Sequence, residues 1–341
     1  MLLLQQIRQV KIHRILILLA GSLAALAGLV VLGAWLYFAQ PLLGSNRPSA
    51  QSIDSARLRG HVVALSQTFH PRNHRHVDNL NRCADYIGNH FRAAGAKVAE
   101  QKYEVNGNTY RNVIGVFGED AGPRIVVGAH YDSFSETPGA DDNASGVAGL
   151  IELAFLLGRT NLPIKVELVA YTLEEPPFFG TENMGSYRHA RALSESTGDL
   201  ALMISLEMIG YFSDMPGSQS RPTIELKLLY PDKGNFIGIV GRNDQRSTVS
   251  RVKRHMKGAA DVPVYSLNAP LGALGIDMSD HRNYWNFGYD AVMITDSAPY
   301  RNTAYHADGD TAETLDYERM SKVVVQVYEA VTGLASQPGN E

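Results

Sequence analysis

Arg124 to Leu150, RIVVGAHYDSFSETPGADDNASGVAGL, is the stretch of this 341-residue chain on which the fold class turns. Ile125–Ala129 is an uninterrupted apolar run, as a strand buried on both faces requires. It ends in His130, with Asp132 two residues on, and alternation along a strand lets the two point to one side. A Gly/Pro/Ser loop then reaches Asp141, Asp142 and Asn143, and Val147–Leu157 has the spacing of a helix packed back on the strand. An imidazole and several carboxylates thus gather where a buried strand feeds a helix. In open α/β sheets that end of the strands is where ligands bind.

Taken singly, a histidine after a strand is commonly a core or loop residue, and Asp-Asp-Asn before a helix is commonly a cap. Repetition argues for more. Ile164–Leu173 ends in Glu174-Glu175, Ala201–Leu206 in Glu207 and Ala291–Thr295 in Asp296, and His306 follows in a Tyr-His-Ala-Asp-Gly-Asp-Thr loop. Clustered acids repel one another unless a cation sits among them. Imidazole and carboxylate donors without thiolate suit zinc, with cobalt or manganese as substitutes. A pair of such ions can lower the pKa of a shared water from 15.7 toward about 7. A carboxylate outside the ligand set can then take its proton, so adjacent Glu174 and Glu175 could divide the two tasks. That is the chemistry of amide hydrolysis.

Composition narrows the classes. An apolar share of 45% and a charged share of 19% are those of a globular chain with a sizeable core, and this length suits one α/β domain. Lys and Arg number 31 against 35 Asp and Glu, so the net charge of -4 gives no reason to expect a nucleic-acid partner. The single cysteine, Cys83, excludes an internal disulfide and a thiolate-rich zinc site, and reads as a small helix residue.

Residues 1–14 carry Arg8, Lys11 and Arg14 and no acid. The following 24 residues, Ile15–Phe38, hold no charge. As a helix they would span about 36 Å, against a bilayer core of about 30 Å. Trp35 and Tyr37 stand at the far end, where aromatic belts occur. A cleaved signal peptide has an apolar region of only about 7–15 residues, so an uncleaved anchor in the lipid bilayer is expected. Basic charge at the amino end puts that end in the cytoplasm and the rest outside it, in the periplasm of a Gram-negative cell.

A polar linker over 39–55 precedes helical spacing at Ala56–Phe69 and Val77–Ala94 and strand alternation at Lys97–Val105 and Thr109–Phe117. Strands and helices then alternate, which predicts a largely parallel sheet with helices on both faces. Residues 211–274 are less regular and are expected to form a rim over the site. They hold strand-like runs at Thr223–Leu229 and Phe236–Val240 and a basic helix near Val249–Met256. Asp316 is placed to cap a last helix, Asp316–Leu334. The globular domain is expected over 56–336, followed by a tail at 337–341.

GAHYDS, GADDNASG, the Glu174-Glu175 pair, SLEMIG, SDH and YHADGDT occur in that order. Together they resemble the M28 family of zinc peptidases, of the bacterial leucyl-aminopeptidase type, over about residues 56–334. The resemblance implies a phosphorylase/hydrolase-like α/β/α sandwich with a mixed, largely parallel sheet and two Zn²⁺ ions. By the same resemblance His130 and Glu207 would complete one zinc site, Glu175 and His306 the other, and Asp141 would bridge them. Glu174 would be the general base. Asp132 would hold the His130 ring, as ligating histidines generally require. Asp142 would follow the bridging ligand at a strained peptide bond, and Tyr305 would lie near the substrate carbonyl oxygen. Glu207 departs from the commonest pattern, which has Asp there, and Asp280-His281 would sit at the rim or behind the ligands.

The implied activity is removal of an N-terminal residue from a peptide. Carboxypeptidases share the fold, and so do glutaminyl cyclases, which use one zinc and lack a second acid after the bridging position. Asp141-Asp142 therefore favours two metals. A reading of another class, a non-catalytic membrane-anchored binding domain, would be expected to have lost ligands that are retained here.

Overall fold

The computed structural model describes all residues except 43, 45, 46, 197, 198 and 337–341, and for 2–4 the backbone alone. The expected tail therefore lies outside the described residues. The chain divides into two units, Met1–Pro41 and Leu42–Glu341. The first is the helix α1 (Leu2–Phe38), which runs on through the basic segment beyond the expected start at Ile15. Its apolar side chains are exposed, Leu18 at 70% and Leu23 at 66%. Such a surface on a helix long enough to cross a membrane fits lipid as its solvent.

The second unit begins with α2 (Ser55–Val63) and α3 (Val77–Ala93), then β1 (Lys97–Val105), β2 (Asn108–Phe117) and β3 (Arg124–His130). There follow α4 (Gly146–Leu157), β4 (Val166–Tyr171), α5 (Gly185–Ser194), β5 (Leu200–Glu207), β6 (Ile237–Arg242) and α6 (Arg246–Met256). β7 (Val264–Ala269), α7 (His281–Asn286), β8 (Ala291–Thr295) and α8 (Tyr317–Ala335) complete it. Asp316 caps α8 by accepting from the Arg319 N–H at 2.9 Å.

The strands form one mixed sheet of eight in the order β1-β2-β4-β3-β5-β8-β6-β7. β4, β3, β5 and β8 run parallel at its centre, β1 and β2 extend one edge antiparallel, and β6 meets β8 antiparallel. Alternation sends Ile125, Val127 and Ala129 of β3 into one core with α2, α3, α4, α6 and α8, and Val126 into a second with α5 and α7. The result is the expected three-layer α/β/α arrangement. Because the central four strands are parallel, their carboxyl ends meet at one edge, and the chemistry-bearing residues meet there too.

One expectation for 211–274 needs correction. Thr223–Leu229 is not a strand but a short 3₁₀ turn, Ile224–Leu228. Only Leu226 of its alternating residues is buried, while Ile224 and Leu228 are 70% and 69% exposed, so no second sheet face exists to hold a strand. The later part of the segment is more regular than expected, with the strand and the basic helix near their expected places. It supplies β6, α6 and β7, the far edge of the sheet.

Candidate metal centre

His130, the last residue of β3, is fully buried, and its Nε2 has no hydrogen-bond partner. Within 3.4 Å of that nitrogen lie Asp142 Oδ1 and Glu207 Oε2, and Glu174 Oε2 is 3.9 Å away. His306 Nε2 lies 3.1 Å from Asp142 Oδ2 and 3.3 Å from Glu175 Oε2. Three donor groups result among the described residues, His130–Asp142–Glu207, His130–Glu174–Glu175 and Asp142–Glu175–His306, the first and last joined by the two oxygens of Asp142. His130, Glu175, Glu207 and His306 stand where the sequence places them. The carboxylate between the imidazoles is that of Asp142, one residue beyond the expected Asp141.

The local backbone explains the shift. Asp141 turns away, accepting from the Gly210 N–H at 3.0 Å and from Asn302 Nδ2 at 3.1 Å. Asp142 leaves helical geometry, at φ -102° and ψ 91°, and faces the histidines. The non-proline cis peptide bond follows it, between Asp142 and Asn143, rather than preceding it. Residue identity alone does not say which of two adjacent acids faces inward. That depends on the N–H groups nearby, and Asp310 sets them by accepting from Asp141 N at 2.9 Å and Asp142 N at 3.0 Å.

Asp132 grips the Glu174-Glu175 backbone in the same way, accepting both N–H groups at 3.2 and 3.1 Å. His130 Nδ1 lies 3.2 Å from the Asp132 backbone oxygen and 3.5 Å from its carboxylate, so one residue holds both the ring and the acidic pair. Ser279 donates to Glu207 Oε2 at 2.7 Å. Tyr305 stacks on the His306 ring at 3.8 Å, and Phe134 covers it at 4.0 Å. Leu173, Met208 and His306 all have positive φ, at 60°, 50° and 58°. Non-glycine residues in that region cost of order 1 kcal/mol or more and cluster at functional sites.

Charge is concentrated here. Burial and then the neighbouring Asp142 push Glu175 up to about 8, and Glu174 is held well above the usual carboxylate range by burial. Burial opposes charge on His306, yet Asp142 and Glu175 push it up to about 10. Protons are thereby shared among groups that a dication would satisfy together.

Several contributors escaped sequence reading. Asp310, Asn302 and Phe134 carry no metal-ligand pattern of their own. Arg72 is fully buried and donates to the backbone oxygens of Tyr131 at 3.0 Å and Pro138 at 2.6 Å, tying down the loop that carries Phe134. Of the two places expected for Asp280 and His281, complete burial agrees with the one behind the donor groups, and His281 Nε2 bonds the Ile276 oxygen at 2.6 Å.

Comparison with known proteins agrees with this geometry. Residues 112–331 match the profile described as Peptidase family M28. An Escherichia coli K12 protein, uncharacterized protein YfbL, is 46% identical over 84% of this chain and 90% of its own. Leucine aminopeptidase 1 of Ajellomyces dermatitidis is 25% identical over 80% of this chain and 69% of its own. Among solved structures, BSAP, a zinc aminopeptidase from Bacillus subtilis, superposes with a TM-score of 0.65 at 14% identity, over 82% of this chain and 94% of that one. A glutaminyl cyclase from Bacteroides thetaiotaomicron does so with a TM-score of 0.62 at 18% identity, over 84% and 99%.

Proposed function

The chain belongs to peptidase family M28, and we propose that it is a two-zinc aminopeptidase, cleaving the first peptide bond of a substrate with a free amino terminus. The observation that carries the reading is the convergence of buried donor atoms without hydrogen-bond partners, His130 Nε2, Asp142 Oδ2 and Glu175 Oε1, in two groups sharing one carboxylate. Their imidazole and carboxylate chemistry fits zinc. His130 and Glu207 would hold one ion, Glu175 and His306 the other, and Asp142 both.

Bound zinc supplies a water of lowered pKa and a Lewis acid for the scissile carbonyl. The chain supplies the rest. Glu174 is in neither bridged donor group, so its carboxylate is the base that accepts the water's proton and returns it to the leaving amine. Asp132 fixes the distance between that base and His130 by holding both. Stacking of Tyr305 and Phe134 on His306 keeps the ring in place and bulk water from one side of the site.

A second reading, a single-zinc glutaminyl cyclase, rests on Asn143. With Asp142 between the histidines, the residue after it is an amide and not a second acid, so the sequence argument against that reading lapses. Metal analysis and product assay of one preparation decide between them. Two zinc ions, with turnover of free but not N-acetylated peptides, support the aminopeptidase. One zinc with cyclisation of N-terminal glutaminyl peptides supports the cyclase.

A further inference from the structure

Outside the metal centre, charge of one sign is concentrated on α6 and the turn after it. From Arg246 to Gly258 the chain carries Arg246, Arg251, Lys253, Arg254 and Lys257 and no acid, in a protein whose net charge is -4. Val249, Val252 and Met256 bury one side of the helix, and Lys253 turns inward with them, its Nζ donating to Ser266 Oγ at 3.1 Å. Ser247, Arg251 and Arg254, spaced i, i+4 and i+7, share a stripe on the other side. Ser247 and Arg254 are exposed and Arg251 is half-buried. The surrounding acids are engaged elsewhere, Asp244 with Arg242, Asp261 with Lys322 and Glu329 with Ser49. Arg251 reaches only a hydroxyl, Thr248 Oγ1 at 3.5 Å, and no carboxylate among the described residues pairs with Arg254. The helix dipole favours cations in the last turn, which accounts for Arg254 but not for Arg251 in the middle turn or Arg246 at the amino end.

The place of that stripe along the chain points to its partner. Leu42 is the first residue of the second unit, and its carbonyl oxygen accepts from Lys257 Nζ at 2.7 Å, just past the end of α6. Ser49 then donates its N–H to Ala259 O at 2.9 Å. The segment that follows α1 is therefore fastened at the carboxyl end of the basic helix. α1 ends at Phe38, and four residue steps from there to Leu42 span at most about 14 Å. A lipid headgroup zone takes up about 6 Å of that reach. The remainder is about 8 Å, one Debye length at physiological ionic strength. A few cations hold a free protein on lipid only weakly. A tether makes the encounter intramolecular, with an effective concentration in the millimolar range, so a short stripe suffices. We propose that the stripe of Arg251 and Arg254 binds the anionic phosphate headgroups of the bilayer that holds α1, seating the second unit on the membrane by this helix. This rests on α1 as a retained anchor and is independent of the peptidase chemistry.

The test places the full chain in lipid nanodiscs, of phosphatidylcholine alone or of phosphatidylcholine mixed equally with phosphatidylglycerol. Both kinds carry a trace of lipid with a nitroxide on its headgroup. The one native cysteine, Cys83, is buried, so Ser247→Cys gives a single reactive thiol on the stripe for a fluorophore. Asn108→Cys gives one at the exposed β1–β2 turn, on the opposite edge of the sheet from β7. Each cation close to an anionic surface favours the seated form about fivefold, so the seated-to-free ratio read from quenching at position 247 is expected to be about tenfold or more higher with phosphatidylglycerol than without it. Combining Arg251→Glu with Arg254→Glu is expected to abolish that gain, while Arg251→Lys with Arg254→Lys keeps it. Salt at about 1 M, where the Debye length is about 3 Å, is expected to remove it without any substitution in the two arginines. Position 108 stays unquenched throughout. Equal quenching at 247 in both kinds of disc, quenching that survives both salt and charge reversal, or stronger quenching at 108 than at 247 overturns the inference and leaves the anchor standing. A chain that does not remain with the discs overturns the anchor itself, and the membrane seat falls with it.

Discussion

Asp141 and Asp142 are chemically identical neighbours, and their surroundings separate them. Asp142 lies between two imidazoles, while Asp141 spends its oxygens on Gly210 and Asn302. Asp142→Asn should therefore lose most bound zinc and activity together. Asp141→Asn keeps an acceptor for Gly210 and should retain metal, at a stability cost of about 1–3 kcal/mol for the disturbed buried bonds. Metal content by mass spectrometry on both variants checks this, and equal loss from each would sink it. Glu174 and Glu175 form a similar pair. Glu175→Gln should lower zinc occupancy, whereas Glu174→Gln should keep zinc and lose about 10²–10⁴ in kcat. Near-normal kcat in Glu174→Gln, or loss of zinc from it, would refute its role as base. Which residue types gather at the site was legible in the sequence, because His130, Glu174-Glu175 and Glu207 close apolar runs and Asp142 and His306 lie in the loops that follow such runs. Which acid of an adjacent pair faces inward was not, because Asp310, 168 residues from Asp142 along the chain, orients that backbone.

The elements that position the site were legible where one physical rule dominated. The apolar runs of β3, β4, β5 and β8 and the cap of α8 follow from burial and from unpaired helix N–H groups. β7, α5 and α7 left weaker marks, since tertiary contacts stabilise them more than their own periodicity. Ile224–Leu228 alternated like a strand but is a 3₁₀ turn paired with no strand, with Ile224 and Leu228 exposed. One element-scale interaction was invisible for another reason. Glu152 reads as an interruption of the apolar helix α4. In the fold it is buried and joins α4 to α2, at 3.2 Å from His61 Nε2 and 3.0 Å from Arg57 Nε. Burial alone would raise its pKa, but hydrogen bonds from His61 and Arg57 outweigh that and hold it below the ordinary 4.5. A depressed folded-state pKa means the stabilisation is complete above the unfolded value and fades as pH falls through the folded one. Glu152→Gln should cost about 1–3 kcal/mol near neutral pH, with the difference from the unaltered protein shrinking below about pH 4.5. Urea unfolding of both proteins between pH 3.5 and 7 measures it, and a gap that does not change with pH would refute the charge-dependent account.

At the scale of the whole molecule the two units demand different solvents. Leu42–Glu341 has its own continuous cores and a caps-and-sheet architecture complete without the first helix. From Ile15 to Phe38 α1 presents exposed leucine and valine without a charged residue, a surface that favours lipid over water. The sequence located the uncharged stretch but not the helix start, because Arg8, Lys11 and Arg14 broke the apolar pattern without breaking the helix. Long cationic side chains at a helix end can reach the headgroup region, so the basic turns continue the helix instead of stopping it. Two fates fit such a segment, a retained anchor and a cleaved signal, and they differ in what remains in the cell. A retained anchor keeps the full-length chain in the pellet after carbonate washing, whereas a protein beginning at Ser52 stays in the supernatant and hydrolyses the same peptides. We propose that the three basic residues and absence of acids before Ile15 keep the amino end in the cytoplasm, so that protease added to spheroplasts reaches the second unit and spares an epitope fused at Met1. Recovery from cells of a chain beginning after Phe38 would replace the anchor by a signal sequence, and protection of the second unit would reverse the orientation. In either event the proposed chemistry is unaffected, because the residues proposed to hold metal and the proposed base, Glu174, all belong to Leu42–Glu341.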